Sequence, residues 1–353
     1  MDSLRIETLR EEIADLDRQI MDLIGKRITV AKKIGGWKNE NGSPIRDVPV
    51  EEKVIERYIT IGETYSISKR TSKEVAQALI REAVDVQAAL PRKAFGKKIL
   101  IIGGEGKMGR WLERFLSDNG HVVTSLDMDG PSVAEAIEEK QVVIISTPIS
   151  TVDGLLKDIA TTGTSALIFD ISSLKSPFLN TLKDMAHNMK VCSVHPMFGP
   201  TIPSLYDKNI MFCDCGSPEA VEEAMGLFDG HGANMIRLPV DEHDRRMSYV
   251  LGMSHAINIA FFTSLADSGM TYKDLKKVGS TTFRKMIEGS EEVARENPLL
   301  YYEIQNLNDN AEITWTRFMD AVDKVKEASL AETPEMFVEI MEKGRVYFEG
   351  QSR

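Results

Sequence analysis

The sequence predicts a multidomain chain: an all-α helical bundle, then an α/β segment with a parallel sheet, then a second all-α segment. Three observations carry this. Apolar residues alternate at steps of four and three near the N-terminus, short apolar runs recur between helix-length stretches from about residue 97, and strand signals cease after Asp241. The expected domains are 1–92, 97–240 and 241–353.

In the first segment Leu9, Ile13, Leu16, Ile20, Leu23, Val30 and Ile34 follow the seam of a long packed helix. Asn41-Gly42-Ser43-Pro44 stops and turns it, and amphipathic stretches follow at Val50 to Glu63 and Lys69 to Leu90. A first helix of roughly 50 Å is too long for its shorter neighbours to cover, so a homodimer is expected. In the second segment Ile99 to Ile102, His121 to Leu126, Val142 to Ile145 and Ala166 to Phe169 read as strands separated by helices, the pattern of a parallel sheet. The third segment is helical to residue 349, with a break at Asn297-Pro298.

Composition narrows the function. The 353 residues are 42% hydrophobic and 27% charged, enough for two or three cores. A net charge of −11 argues against a nucleic-acid or anionic-membrane partner. The N-terminus is dense in charge and no uninterrupted apolar run reaches about 18 residues, so neither a signal peptide nor a membrane span is expected and the cytoplasm is the expected compartment. Cys192, Cys213 and Cys215 read as core thiols, with no metal site.

Gly104-Glu105-Gly106-Lys107-Met108-Gly109 follows the first strand and opens a helix. Glycines there allow a tight turn and close approach of a pyrophosphate to the helix N-terminus. Asp127, closing the second strand, suits both hydroxyls of an adenosine ribose and would repel a 2′-phosphate, so NAD is expected rather than NADP. The competing reading is a glycine turn without a ligand.

In the first helix the step after Leu23 falls on Arg27, with Lys38 three turns on and Arg10 toward the other end. Three cations directed into a bundle suit a compact polyanion, whereas side chains that snorkel to solvent would mean nothing of the kind. Spacing alone leaves both readings open. Residues 4–90, with Leu9-Arg10, Arg27, Lys38, Arg46-Asp47, Glu51 and Gln87, resemble the all-helical chorismate mutases. The resemblance implies an intertwined dimer in which Arg27 and the other chain's Arg10 hold the carboxylates of chorismate. It further implies that Asp47 and Glu51 orient the ring hydroxyl while Lys38 and Gln87 bind the ether oxygen. Ala83 stands where the family often has serine.

Asp170-Ile171-Ser172-Ser173-Leu174-Lys175 and Val194-His195-Pro196-Met197-Phe198-Gly199-Pro200 leave successive strands at the carboxyl edge of the sheet. A histidine there can take a proton near neutrality, although a lone histidine is often structural. This region, with Ser146-Thr147-Pro148 and Glu242-His243-Asp244, resembles prephenate dehydrogenase from about residue 97 to 349. The resemblance implies that His195 accepts the ring-hydroxyl proton while Ser173 hydrogen-bonds that hydroxyl. His255 and Tyr301 would line the substrate pocket. The family's carboxylate-binding arginine is replaced by Glu292, and Arg295 and Arg284 are the nearest cations, Arg295 being slightly favoured.

The two resemblances fit one another, since a chorismate mutase makes prephenate. The expected protein is a bifunctional enzyme of tyrosine biosynthesis that turns chorismate into prephenate and then, with NAD, into 4-hydroxyphenylpyruvate. The alternative is an arogenate or cyclohexadienyl dehydrogenase whose N-terminal helices only dimerise. Rivals further afield are a β-hydroxyacid or imine dehydrogenase and an NAD-binding metabolite sensor.

Overall fold

Asp2–Glu40 forms a single helix, α1. The computed structural model describes residues 2–90 and 96–350, and the expected junction at 92–97 lies mostly outside them. Helices α2 (Val48–Thr64) and α3 (Lys69–Ala88) follow, and α3 packs against both α1 and α2. Each has a side-chain cap: Asp47 accepts the Val50 amide at 3.2 Å and Ser68 accepts the Thr71 amide at 3.2 Å.

The seam residues Leu9, Ile13, Leu16, Ile20 and Leu23 are exposed in the single chain, whereas Ala31 and Gly35 are buried against α3. Arg27, five whole turns beyond Leu9, stays on the seam's side of α1, and its guanidinium reaches across to the Leu79 carbonyl of α3.

The sheet has seven strands in the order β2-β1-β3-β4-β5-β6-β7. They are β1 (Lys98–Ile102), β2 (Val122–Leu126), β3 (Val142–Ile145), β4 (Leu167–Asp170), β5 (Val191–Pro196), β6 (Asn209–Asp214) and β7 (Asn234–Pro239). Strands β1 to β5 are parallel, β6 runs antiparallel to β5, and β7 is parallel to β6. The sheet is therefore mixed, a correction to the all-parallel expectation: the β5–β6 connection contains no helix, and without a crossover the chain returns antiparallel. Helices α4 (Lys107–Asp118), α5 (Val133–Ile137), α6 (Ile149–Thr162), α7 (Leu179–Ala186) and α8 (Pro218–Gly226) fill the other connections. Ile99, Ile101, Ile144, Phe169 and Phe212 of the strands pack with Leu112, Leu116 and Phe228 in one core.

The tail comprises α9 (Val240–Met247), a π-helical turn (Ser248–Met253), α10 (Ser254–Asp267), α11 (Tyr272–Val278), α12 (Thr281–Arg295), α13 (Pro298–Asn306), α14 (Ala311–Leu330) and α15 (Glu335–Glu349). Read as one helix, Val240–Asp267 is long and apolar enough to cross a membrane by length and composition. This corrects the expectation that no segment qualifies: mean hydropathy tolerates the scattered Ser, Asn and Thr that interrupt an apolar run.

The chain divides into two compact units. One comprises Met1–Thr147, Thr151–Ser172 and Asn180–Pro239, so α1 to α3 and the sheet belong together; the other comprises Pro148–Ser150, Ser173–Leu179 and Val240–Arg353.

Candidate active sites

Helices α1 and α3 run parallel, matched at eight-residue intervals. Arg27 Nη1 donates to the Leu79 carbonyl at 2.7 Å. Two turns on, a Cβ on Gly35 would come within 2.6 Å of Gln87 Cγ, so only glycine lets the helices approach at that level. Gln87 is buried; its Nε2 donates to the Ala83 carbonyl at 2.8 Å and its Oε1 has no partner. Lys38, one turn past Gly35, donates through Nζ to the Ile45 carbonyl at 2.5 Å. Arg27, Ala83 and Gln87 therefore follow one α1–α3 seam, and Lys38 lies beyond it, tied to the α1–α2 connection at Ile45.

Arg10 is not at this seam. It lies about 25 Å up the helix from Arg27, 68% exposed and paired with Glu7 at 2.8 Å. Asp47 is spent on capping α2, at an exposed position. Glu51 is more enclosed: the Tyr206 hydroxyl donates to its Oε2 at 3.2 Å, Arg46 Nε lies 3.4 Å from Oε1, and Oε1 itself is buried without a hydrogen bond. A cleft of about 240 Å³ opens there, lined by Arg46, Glu51, Gln77, Ile80, Tyr206 and Asp207. Tyr206 comes from the β5–β6 connection of the sheet, and nothing in the sequence pattern linked it to α2.

The glycine turn begins one residue earlier than the motif suggests. Gly103, at φ +89°, reverses the chain after β1, and its amide donates to the Leu126 carbonyl at 2.8 Å. Gly106 caps α4 with no side chain over the amides of Lys107, Met108 and Gly109. A Cβ on Gly109 would meet Gly104 Cα at 2.8 Å, and one on Gly104 would collide with Ser125. Both Asp127 oxygens face the Glu105 amide, at 3.2 and 3.3 Å. A side-chain-free helix start beside a strand-end carboxylate fits an adenine dinucleotide. Ser146, Thr147 and Pro148 follow β3; the Ser146 amide donates to the Ile102 carbonyl at 2.8 Å, and the Thr147 and Thr151 hydroxyls lie 2.9 Å apart.

His195 is buried near the end of β5, opposite Met211 of β6. Strand β4, adjacent to β5, ends at the fully buried Asp170, whose carboxylate accepts the Ser172 amide at 2.8 Å. The two polar loops therefore leave neighbouring strands at the same edge, where open α/β sheets bind ligands.

In the second unit, Ser173 begins a segment anchored by Asp244. The Asp244 carboxylate accepts the amides of Lys175 and Ser176, the latter at 2.6 Å, and the Ser176 hydroxyl; His243 Nδ1 lies 2.6 Å from Oδ1. Burial pushes this carboxyl's pKa up, but the bonds from His243 and Ser176 more than reverse that and hold it below the ordinary value. His255 stacks on Tyr301 with ring centroids 4.2 Å apart, and its buried Nδ1 has no hydrogen bond. Burial lowers the His255 pKa; burial, with Glu296 and Glu292 nearby, raises that of Tyr301. Arg295 is 75% exposed and tied to Glu291 at 2.6 Å, and Arg284 is exposed on α12.

A helical bundle with a cationic seam, joined to a nucleotide-binding sheet with a histidine at its carboxyl edge, defines a two-site enzyme of the dehydrogenase class. Residues 9–88 match the family chorismate mutase type II, 116–237 the prephenate dehydrogenase nucleotide-binding domain, and 239–343 the prephenate dehydrogenase dimerization domain. The glycine turn lies just ahead of the second match. The chain is 26% identical over 303 residues to the T-protein of Enterobacter agglomerans, covering 85% of this chain and 81% of that one, and 29% identical over 286 residues to that of Haemophilus influenzae, covering 79% and 75%. Its fold resembles the Aquifex aeolicus prephenate dehydrogenase in complex with hydroxyphenyl propionate and NAD+, with a TM-score of 0.58 at 17% identity, covering 74% of this chain and all of that one. The three matches stand in one chain in the order chorismate mutase, prephenate dehydrogenase nucleotide-binding domain and prephenate dehydrogenase dimerization domain.

Proposed function

We infer that one chain carries out two consecutive steps of tyrosine biosynthesis, chorismate to prephenate in α1–α3 and prephenate to 4-hydroxyphenylpyruvate in the remainder. The cofactor of the second step is NAD. The observation that carries the reading is the pairing of the Arg27–Gln87 seam with the Gly103–Gly109 turn in a single chain.

In the mutase, Arg27 binds a carboxylate of chorismate, Lys38 and Gln87 stabilise charge developing on the ether oxygen, and Glu51 with Asp47 orients the ring hydroxyl. No nucleophile is needed, because rate comes from holding the compact conformer and from placing donors where charge grows. Arg10 lies too far from Arg27 to serve its own chain's site, and the exposed α1 stripe offers a face for a second copy that would bring its own Arg10. The assembly we propose is a homodimer through both helical domains; α14 and α15 also leave Met319, Val322, Phe337 and Met341 exposed.

In the dehydrogenase, the α4 N-terminus and Asp127 bind the dinucleotide, which when bound accepts a hydride from the ring carbon bearing the hydroxyl. His195 takes the hydroxyl proton, Ser173 hydrogen-bonds the same oxygen, and loss of the ring carboxylate as carbon dioxide leaves an aromatic ring. His255 and Tyr301 line the substrate side. Arg295 is the carboxylate cation we favour over Arg284, once released from Glu291. The proposed compartment is the cytoplasm, which three buried cysteines outside any disulfide suit.

A coupled assay with chorismate and NAD tests the whole reading: NADH should form from chorismate alone. Arg27→Ala should abolish chorismate loss and keep NADH formation from prephenate, and His195→Asn should do the reverse. NADH from arogenate but not prephenate would favour the alternative dehydrogenase.

A further inference from the structure

The mutase glutamate is held by residues of the dehydrogenase sheet. Glu51 Oε2 takes its hydrogen bond from Tyr206, and its second oxygen is buried with only Arg46 Nε nearby, at 3.4 Å. Arg46 is in turn fixed from the sheet. Its Nη1 donates to Asn234 Oδ1 at 2.8 Å and lies 3.6 Å from Asp207, and its guanidinium sits 5.1 Å from the centroid of the Tyr206 ring. The same junction buries Ile45, Ile80 and Val84, with Tyr206 packed against them, and Ser204 hydrogen-bonds Asp85 of α3. Gly232, at φ +79°, lies directly behind Tyr206: a Cβ there would approach its ring at 3.3 Å and Val84 at 3.4 Å.

We propose that Tyr206 is a positioning residue for the mutase reaction, aiming the Glu51 carboxylate at the ring hydroxyl of chorismate across the junction between the helical domain and the sheet. The proposal rests on the reading that Glu51 meets that hydroxyl. A carboxylate on a flexible side chain has several rotamers, and the Tyr206 donor on Oε2 with the Arg46 cation 3.4 Å from Oε1 holds it in one of them. Burial and the Glu51 charge push the Tyr206 phenol up to about 12, so it remains a donor throughout the neutral range. The sheet thus completes a site whose other residues all lie in α1 to α3 and their connections, and this gives a physical reason for the two activities to share a chain.

The test is a double-mutant cycle in the full chain with Tyr206→Phe, Glu51→Gln and the double variant, following chorismate loss and, separately, NADH formation from prephenate. Phenylalanine keeps the ring beside Arg46 and deletes only the donor. Expected is a mutase kcat/KM about tenfold lower in Tyr206→Phe, mostly in kcat, with prephenate oxidation unchanged and the double variant no worse than Glu51→Gln. Asn234→Ala, which unhooks Arg46, should give a smaller loss of the same sign. Wild-type or raised mutase activity in Tyr206→Phe, or losses that multiply independently, would overturn the positioning role while leaving Glu51 in the site. Full mutase activity in Glu51→Gln would remove Glu51 from the site, and the proposal with it.

Discussion

Asp244 clamps the backbone of Lys175: both carboxylate oxygens lie 2.9 Å from its amide nitrogen. The Ser173 segment is held by an anion, so Asp244→Asn, which swaps one acceptor for a donor facing backbone amides, should cost about 2–4 kcal/mol of stability. It should also lower kcat for prephenate oxidation while leaving the mutase rate unchanged. Because the folded carboxyl titrates below its ordinary 3.8, its contribution is complete above that value and is lost as pH falls through the lower folded pKa. Acid unfolding of the wild type below about pH 4 should be steeper than that of the variant.

His255, buried and stacked on Tyr301, should titrate below 6.5 and be neutral at pH 7. The unfolded chain binds a proton near 6.5 that the folded chain refuses, so this group lowers stability as pH falls from 6.5 to the folded pKa. NMR of the ring protons would give the midpoint. Tyr301→Ala should move it back toward 6.5 by letting water reach the ring.

Asp127→Asn should raise the KM for NAD by about tenfold or more and narrow the preference over NADP, since the negative charge that repels a 2′-phosphate is gone. Initial rates with both cofactors and prephenate measure it. Mutase activity, measured in parallel, should not change.

Ala83→Ser places a hydroxyl on the α1–α3 seam, between the Arg27–Leu79 bond and Gln87. It should lower the KM for chorismate about three- to tenfold by adding one hydrogen bond to a substrate carboxylate. An unchanged KM would mean that no carboxylate reaches Ala83.

Elements whose signal is local were legible. The three N-terminal helices, strands β1 to β4 and the glycine turn followed from periodicity and turn chemistry, each within a few residues. Gly103 was missed because the motif is satisfied without it. The reversal at β6 carries no residue signature, only the lack of a helix between Pro196 and Asn209. That the α1 stripe is exposed in the single chain while the Arg27 guanidinium reaches α3 depends on where α3 packs, which a heptad count does not show. Tyr206 and Glu51 are 155 positions apart, and no pattern within either segment points to the other. Asp244 stands in the Glu242-His243-Asp244 stretch, but its role depends on the Lys175 amide 69 positions away.

The π-helical turn at Ser248–Met253 has a further consequence. Widening the helix there presents the Gly252 carbonyl sideways, and Gln305 Nε2 donates to it at 2.7 Å. The turn also works as a phase shifter: Asp244 before it and His255 after it each face a partner, Lys175 and Tyr301, in an angular relation that an unbroken 3.6-residue pitch would not give. Six residues at the wider π pitch turn the chain about as far as five at 3.6 per turn, so winding all six at the α pitch would swing everything beyond by about 100°. The His255 ring would be carried off Tyr301 although no residue had changed, so the width of this stretch is itself a determinant of the site.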